Sequence, residues 1–301
     1  MKEKKILCVG HAAFDITFPL KSFPKENTKN RVTEIVECGG GPASTAAYLL
    51  GKWGMDTTFA GIVGNDVYGR KVKKELKSVN VNIDYMEESK EYGTTLSIVI
   101  VSGKKNTRTT LAYKNPEMKM EIAHLDVKPD VLLVDGQEPK LSMNIIKNNP
   151  KMISIIDAGR AVDDVIELCK HVNYIVCSRE FAEEVTGIKV NYKDVNSLGK
   201  IFEKLIELFP NKYYVVTLED KGSMFLDGEY VKVMPTYKMD VKDTTGAGDI
   251  FHGAFTYGIA NGYSLENSVK LGNIAGALST TKIGSRPSVP ELDEVMKLYE
   301  K

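Results

Sequence analysis

Asp243-Thr244-Thr245-Gly246-Ala247-Gly248-Asp249-Ile250-Phe251-His252-Gly253-Ala254-Phe255 is the stretch on which the reading of this chain turns. A small-residue turn, Gly246-Ala247-Gly248, opens an apolar segment suited to a helix, and a carboxylate, Asp249, follows at once. Unpaired N–H groups at a helix N-terminus, together with the helix dipole, favour an anion, and glycine lets backbone approach it closely. A second negative charge there repels a phosphate that is merely bound. Asp249 makes chemical sense as a general base, taking the proton of a hydroxyl that attacks the phosphorus. An acidic residue in a first turn is also ordinary helix chemistry. The length of the run, more than its Gly-x-Gly-Asp centre, weighs against that plainer reading.

The bulk of the sequence narrows the field. The chain of 301 residues can bury a substantial core as one large domain or a domain with an appendage. Lys and Arg together number 40, as do Asp and Glu, so no net field draws the protein to nucleic acid or to an acidic membrane. Cys8, Cys38, Cys169 and Cys177 form no Cys-x-x-Cys pair, and three of them sit in or near apolar segments as small hydrophobes. Lys2 to Lys5 leads into the apolar run Ile6–Gly10, too short for a signal sequence or a membrane span. A soluble cytoplasmic protein is expected.

Short β-branched runs alternate with amphipathic stretches. Strands are expected at Lys5–Val9, Thr57–Val63, Val131–Val134, Ile153–Ile156, Tyr174–Cys177 and Tyr213–Thr217. Helices are expected at Pro42–Trp53, Gly69–Ser78, Leu141–Lys147, Val162–His171 and Asn196–Leu208. Pro42 suits a first helical turn and Gly54 a C-terminal cap. Continuous apolar strands separated by helices predict an α/β fold with a central, mainly parallel sheet covered on both faces. Phe14–Phe18, Val32–Val36, Thr94–Val101 and Thr107–Tyr113 break this rhythm by alternating or flanking the turn Gly103-Lys104-Lys105-Asn106. They predict a small antiparallel β-sheet lid with one wet face. The expected division is a core of residues 1–14, 37–91 and 115–301, with the lid inserted as residues 15–36 and 92–114.

With these residues in view, Asp243–Phe255 resembles the C-terminal signature of the ribokinase-like (PfkB) carbohydrate kinase family. Gly39-Gly40-Gly41-Pro42-Ala43-Ser44-Thr45-Ala46 resembles the family's Gly-Gly substrate loop and the helix after it. Gly64-Asn65-Asp66-Val67-Tyr68-Gly69 is similar to its Gly-x-Asp-x-x-Gly segment. Asn273 and Gly284–Pro290 also stand where members carry similar residues, so the resemblance spans the chain in order. It implies a ribokinase-like fold, ATP as donor and Mg²⁺ bridging the phosphates. It implies Asp249 as the base, with Gly246, Ala247 and Gly248 as the anion hole. Asp15, Gly39, Gly40, Gly41 and Ser44 are implied at the acceptor, with a solvated lid residue and a plain turn as the bland alternatives. Thr217, Gly222, Asn273, Ser178 and Glu180 are implied at the nucleotide. Asp243 and Thr245, with the loop Thr281–Ser288 and its Ser288, resemble the monovalent-cation site of some members, which makes K⁺ a further expectation. Family members often pair through their lids, so a homodimer is expected as well.

Two places depart from the pattern. Many members carry Asn-x-x-Glu where this chain has Ser178-Arg179-Glu180-Phe181, a variant similar to sugar kinases of the ketohexokinase type. Glu180 or Glu183 is the expected substitute, acting on Mg²⁺ through water, against the plain alternative of a solvated helix face. Glu219 in Thr217-Leu218-Glu219-Asp220-Lys221-Gly222 replaces a common glycine near the nucleotide.

The acceptor is less legible, because family identity alone does not choose it. Arg108, on the expected lid, and Arg160, at a strand end, are candidates to face an anionic or polyhydroxylated acceptor, each with a surface arginine as the bland alternative. A sugar or sugar derivative is favoured over a nucleoside, since Phe14, Phe18 and Tyr113 serve as lid cover as readily as stacking platforms. A catalytically weak sugar-binding regulator is the alternative outside the kinase class. A dinucleotide oxidoreductase is excluded by Gly10-His11-Ala12-Ala13-Phe14, which lacks Gly-x-Gly-x-x-Gly, and no Gly-x-x-x-x-Gly-Lys-Ser/Thr loop is present.

Overall fold

The computed structural model describes residues 4–104, 107–192 and 194–301, with only the backbone of Val195. Lys105 and Asn106 of the expected lid turn, and Lys2 of the basic N-terminal run, lie outside the described residues. Among the described residues the chain runs β1 (Lys5–Val9), β2 (Ala13–Leu20), β3 (Val36–Gly40), α1 (Pro42–Lys52), β4 (Asp56–Gly64), α2 (Val67–Ser78), β5 (Asn82–Ser89), β6 (Leu96–Ser102) and β7 (Thr107–Tyr113). It continues β8 (Val131–Val134), α3 (Pro139–Asn148), β9 (Ile153–Ala158), α4 (Asp163–Cys169), β10 (Tyr174–Ser178), α5 (Arg179–Thr186), α6 (Val195–Leu208), β11 (Tyr213–Thr217), β12 (Ser223–Asp227) and β13 (Tyr230–Met234). The last helices are α7 (Ala247–Ala260), α8 (Leu265–Ser279) and α9 (Leu292–Tyr299).

The main sheet has nine strands in the order β13-β12-β11-β10-β9-β8-β1-β4-β5. From β11 to β5 all neighbours are parallel; β12 and β13 add an antiparallel hairpin at one edge. Two buried clusters cover its faces, one around α1, α7 and α8 and the other around α3 to α6. The six expected core strands are all present. β5, β12 and β13 were not foreseen, because their alternating or mixed composition follows an edge more than a core.

The second sheet has the order β3-β2-β6-β7. Its centre corrects the expectation of an antiparallel lid, since β2 and β6 pair in parallel while β3 and β7 are antiparallel at the edges. The two insertions leave the core in the same direction, and their first strands meet side by side. A second correction concerns Val32–Val36. The strand is β3, Val36–Gly40, and residues 32–35 lie in no strand. Gly39 and Gly40 are thereby strand residues opposite Phe14 and Ala13, and the turn proper falls on Gly41.

Local chemistry explains the helix starts that matter. α1 opens with Gly41 at φ 90 followed by Pro42. α2 is capped by Asp66, whose carboxylate accepts from Gly69 N. That same carboxylate accepts from the backbone and hydroxyl of Thr94, just before β6, so the cap also anchors the lid. α7 is buried on nearly every side and crosses α1 closely, where a side chain at Gly253 would meet Ala46 backbone at 3.2 Å.

Candidate active site

The N-terminus of α7 is the centre of the site. Gly246 caps it in the left-handed conformation, φ 77, and a Cβ there would lie 2.6 Å from the Ser285 Cβ. The Ala247 N–H leans toward Thr244 O at 3.3 Å, while those of Gly248 and Asp249 make no hydrogen bond of their own among the described residues. Two bare amides at a helix start are a ready anion site. The Asp249 carboxyl is pushed up to about 7, first by burial and then by Asp157; His252 and Arg108 pull it down, and Asp15 pushes it up again. A carboxyl tuned to neutrality and standing beside an anion hole has the properties of a general base.

Asp15 comes from β2 and is 6 % exposed. The Ser285 hydroxyl donates to it at 3.2 Å, and its carboxyl is raised by burial against the hydrogen bonds of Ser97 and Ser285. A side chain at Gly40 would strike this carboxylate at 2.3 Å, so glycine there gives Asp15 its room. Gly39 N donates to Glu75 Oε2 at 2.8 Å, and a side chain at Gly39 would strike the Arg286 guanidinium. Ser44 spends its hydroxyl on the loop: it donates to Gly40 O at 2.8 Å and accepts from Arg286 Nη2 at 2.6 Å. Arg286 is 2 % exposed and pairs with Glu75 at 3.0 Å.

Sequence reading missed this Arg286–Glu75 brace, and it missed Asp135. Asp135 follows β8 and accepts from His11 N, Ala43 N and Gln137 N, fixing the far side of the same loop. Its signal was a carboxylate just past a core strand. Beside it His11, Thr95, Lys114 and Glu138 line a tight pocket together with Ile62 and Met118. The Glu138 carboxyl is raised to about 7 by burial, and its Oε1 and the Thr95 hydroxyl have no partner among the described residues.

Other expected residues divide. Arg108 reaches from β7 to the Thr244 hydroxyl at 2.9 Å and to the Thr244 carbonyl, joining the lid to the α7 turn. Arg160, 66 % exposed in its side chain, is not brought to this group and pairs with Glu180 and Glu184. Ser178 caps α5 and donates to Gly159 O, and Glu183 is held by Lys189 and Val190 N. Thr217 donates to Cys177 O, and Gly222 has φ 95 with no room for a Cβ near Met234 O. Glu219 has a left-handed backbone, φ 55, and its carboxylate pairs with Arg179 at 2.9 Å. Asn273 is occupied inside the fold, accepting from the Ser223 hydroxyl and donating to Met234 O. Asp243 accepts from the backbone and hydroxyl of Thr245 and from Gly284 N; Ser288 donates to Ser285 O. A larger cavity of about 570 Å³ between α4, α5 and α6 is lined by Arg160, Val162 and Phe209, and none of the loop or anion-hole residues borders it.

Known proteins resemble this chain in family and fold. A family profile described as pfkB family carbohydrate kinase matches residues 3–292. A nucleoside kinase of Methanocaldococcus jannaschii is 23 % identical, covering 100 % of this chain and 98 % of its own length. A ribokinase of Bacillus subtilis is 24 % identical, covering 98 % and 99 %. The solved structure of a ribokinase from Thermotoga maritima superposes with a TM-score of 0.81 at 24 % identity, covering 99 % of this chain and 100 % of that one.

Proposed function

The chain belongs to the pfkB family of carbohydrate kinases, ATP-dependent phosphotransferases, and on that premise we propose that it moves the γ-phosphoryl group of ATP to a hydroxyl of a sugar or sugar derivative. The observation that carries this reading is the start of α7, where the left-handed Gly246 leaves the amides of Gly248 and Asp249 bare in the same turn as the Asp249 carboxyl, which burial raises. In this role Asp249 accepts the acceptor's proton, the amides and the Gly246 turn take the developing charge, and Asp15 orients the hydroxyls.

Mg²⁺ neutralises the phosphates when ATP is bound. Among the described residues no group of three or more His, Cys, Asp or Glu converges as a metal site, and Glu180 and Glu183 are engaged by Arg160 and Lys189. An ion entering with the phosphates would be held mainly by them, with Glu180 or Glu183 as the proposed contact through water. The carboxylate of Asp243 already accepts from Thr245 N, the Thr245 hydroxyl and Gly284 N, so the proposed K⁺ site at Asp243, Thr245 and Ser288 would draw mostly on backbone carbonyls. Equal rates in Na⁺, in K⁺ and without either ion would remove it.

A sugar is favoured over a nucleoside by what lines the acceptor end. Phe14 is buried and already engaged by Tyr68 (ring centroids 5.1 Å apart) and the Lys71 ammonium, so it is not offered as a platform for stacking a base. The deciding experiment is an ADP-release assay over a panel of sugars, sugar acids, sugar phosphates and nucleosides, with Asp249→Asn as control. Turnover confined to nucleosides would overturn the acceptor class. ATP binding with no turnover on any acceptor would favour a sugar-binding regulator. The lid edges β3 and β7 are the proposed homodimer surface.

A further inference from the structure

One turn along α7 from the anion hole lies a buried pair that the phosphoryl-transfer reading does not use. His252 is 4 % exposed. Its Nδ1 lies 2.7 Å from the Gly248 carbonyl and 3.3 Å from Asp157 Oδ2, and its Nε2 lies 3.1 Å from the Val176 carbonyl. All three partners are acceptors. A neutral imidazole has a single N–H, so one nitrogen would turn its lone pair toward an oxygen; only a ring protonated on both nitrogens satisfies the arrangement. The Asp157 carboxylate, at the C-terminal end of β9, supplies the counter-charge that a buried cation needs.

The placement matters for the site. The Gly248 carbonyl belongs to the peptide unit that carries the Asp249 N–H. A proton held between Nδ1 and that carbonyl fixes the plane of an anion-hole amide and the root of the base. The same pair puts one positive and one negative charge beside the Asp249 carboxyl, and both act on it. We propose that His252 and Asp157 are positioning residues, an ion pair that holds the Gly248–Asp249 peptide and balances the charge on the base.

The surroundings are accounted for. Asp249 also faces Arg108 from β7 and Asp15 from β2; Asp157 faces Asp135 after β8 and the Cys177 thiol on β10. Of the groups acting on Asp157, only His252 offers positive charge.

The kinetic test rests on the kinase reading above. The acid limb of kcat/KM reports the base in the free enzyme. Asp157→Asn removes a negative neighbour and should move that limb down by about 1 pH unit. His252→Asn keeps a donor to Gly248 O but removes the cation, so the two carboxylates repel and together take up a proton from solvent more readily. The limb should then move up by about 1 pH unit and broaden. The double variant should fall between the two. Loss of rate at every pH with the limb unmoved in both single variants would overturn the proposal and leave the pair a packing feature.

A second measurement needs neither turnover nor a variant. In a ¹⁵N-labelled sample at neutral pH, His252 should show two exchange-protected ring N–H signals, assigned through contacts with Phe251, its neighbour at 5.8 Å between ring centroids. A single ring N–H would overturn the ion pair even if the variants do not fold. If the wild type phosphorylates no acceptor, the functional reading fails and this signal still decides the pair.

Discussion

Asp249→Asn is expected to remove most turnover while making the protein more stable at neutral and alkaline pH. The carboxyl is raised from its ordinary 3.8 to about 7, chiefly by burial and then by Asp157. A folded-state value above the unfolded one means that, between these limits, the folded protein holds a proton the unfolded chain has released. Stability therefore falls as pH rises through that window and is flat above it. At about 1.4 kcal/mol per pH unit the ionised form costs up to about 4 kcal/mol. Asp249 is only half-buried, and with water nearby roughly half of that, about 2 kcal/mol, is the working figure. Asparagine has the shape of the protonated acid and carries no charge to desolvate. At about 2–3 °C per kcal/mol, the variant should melt about 4–6 °C above wild type near pH 8, and the gap should close toward pH 4. Loss of a general base should lower kcat by about 10²–10⁴. Paired thermal melts across pH, with an ADP-release assay, check both halves. A variant less stable near pH 8, or a gap that ignores pH, would refute the reasoning.

Arg286→Met should destabilise the protein by about 2 kcal/mol, below the usual range for a severed buried pair because the Glu75 side chain is 29 % exposed. Since Arg286 braces the Gly39–Ser44 loop, the acceptor KM should rise more than that of ATP, read by urea melts and steady-state kinetics. Gly246→Ala sets a side chain at φ 77 and drives its Cβ to 2.6 Å from Ser285, so a loss of about 1–2 kcal/mol and a fall in kcat of about 10²-fold are expected. Arg160→Ala should leave the acceptor KM unchanged and stability within about 0.5 kcal/mol, because its ion pairs with Glu180 and Glu184 are exposed.

What could be read from the sequence was what is contiguous in it. Six core strands carry their signal in uninterrupted apolar runs, and the Gly246–Asp249 turn with its helix is written as one segment. β12 and β13 escaped because Gly228 and polar neighbours divide two short strands into what resembles loop, and β5 because only Ile83 and Met86 are buried among polar residues at an irregular spacing. The lid's parallel centre escaped for another reason: pairing between β2 and β6 is settled by how two insertions leave the core, which no local pattern records. The same holds for the site. Arg286 stands alone among Gly, Ser and Pro, and His252 among apolar helix residues; each acquires meaning only from partners on other elements. Asn273 shows the converse, a residue whose family position suggested a ligand and whose side chain is taken by Ser223 and Met234.

The electrostatics of the base explain why these distant partners matter. In the proposed role Asp249 must be ionised to accept a proton, yet burial, Asp157 and Asp15 all favour its protonated form, and incoming phosphates would add further negative charge. Two groups oppose them. His252 is fixed in the core by Val176 and Asp157, whereas Arg108 belongs to the lid and meets the α7 turn only through Thr244. The core alone thus supplies part of the positive charge the base requires, and the rest depends on β7 lying over the site. In the proposed role of Asp249, Arg108 on β7 and His252 on α7 oppose burial, Asp157 and Asp15, so loss of either cation should favour the protonated carboxyl.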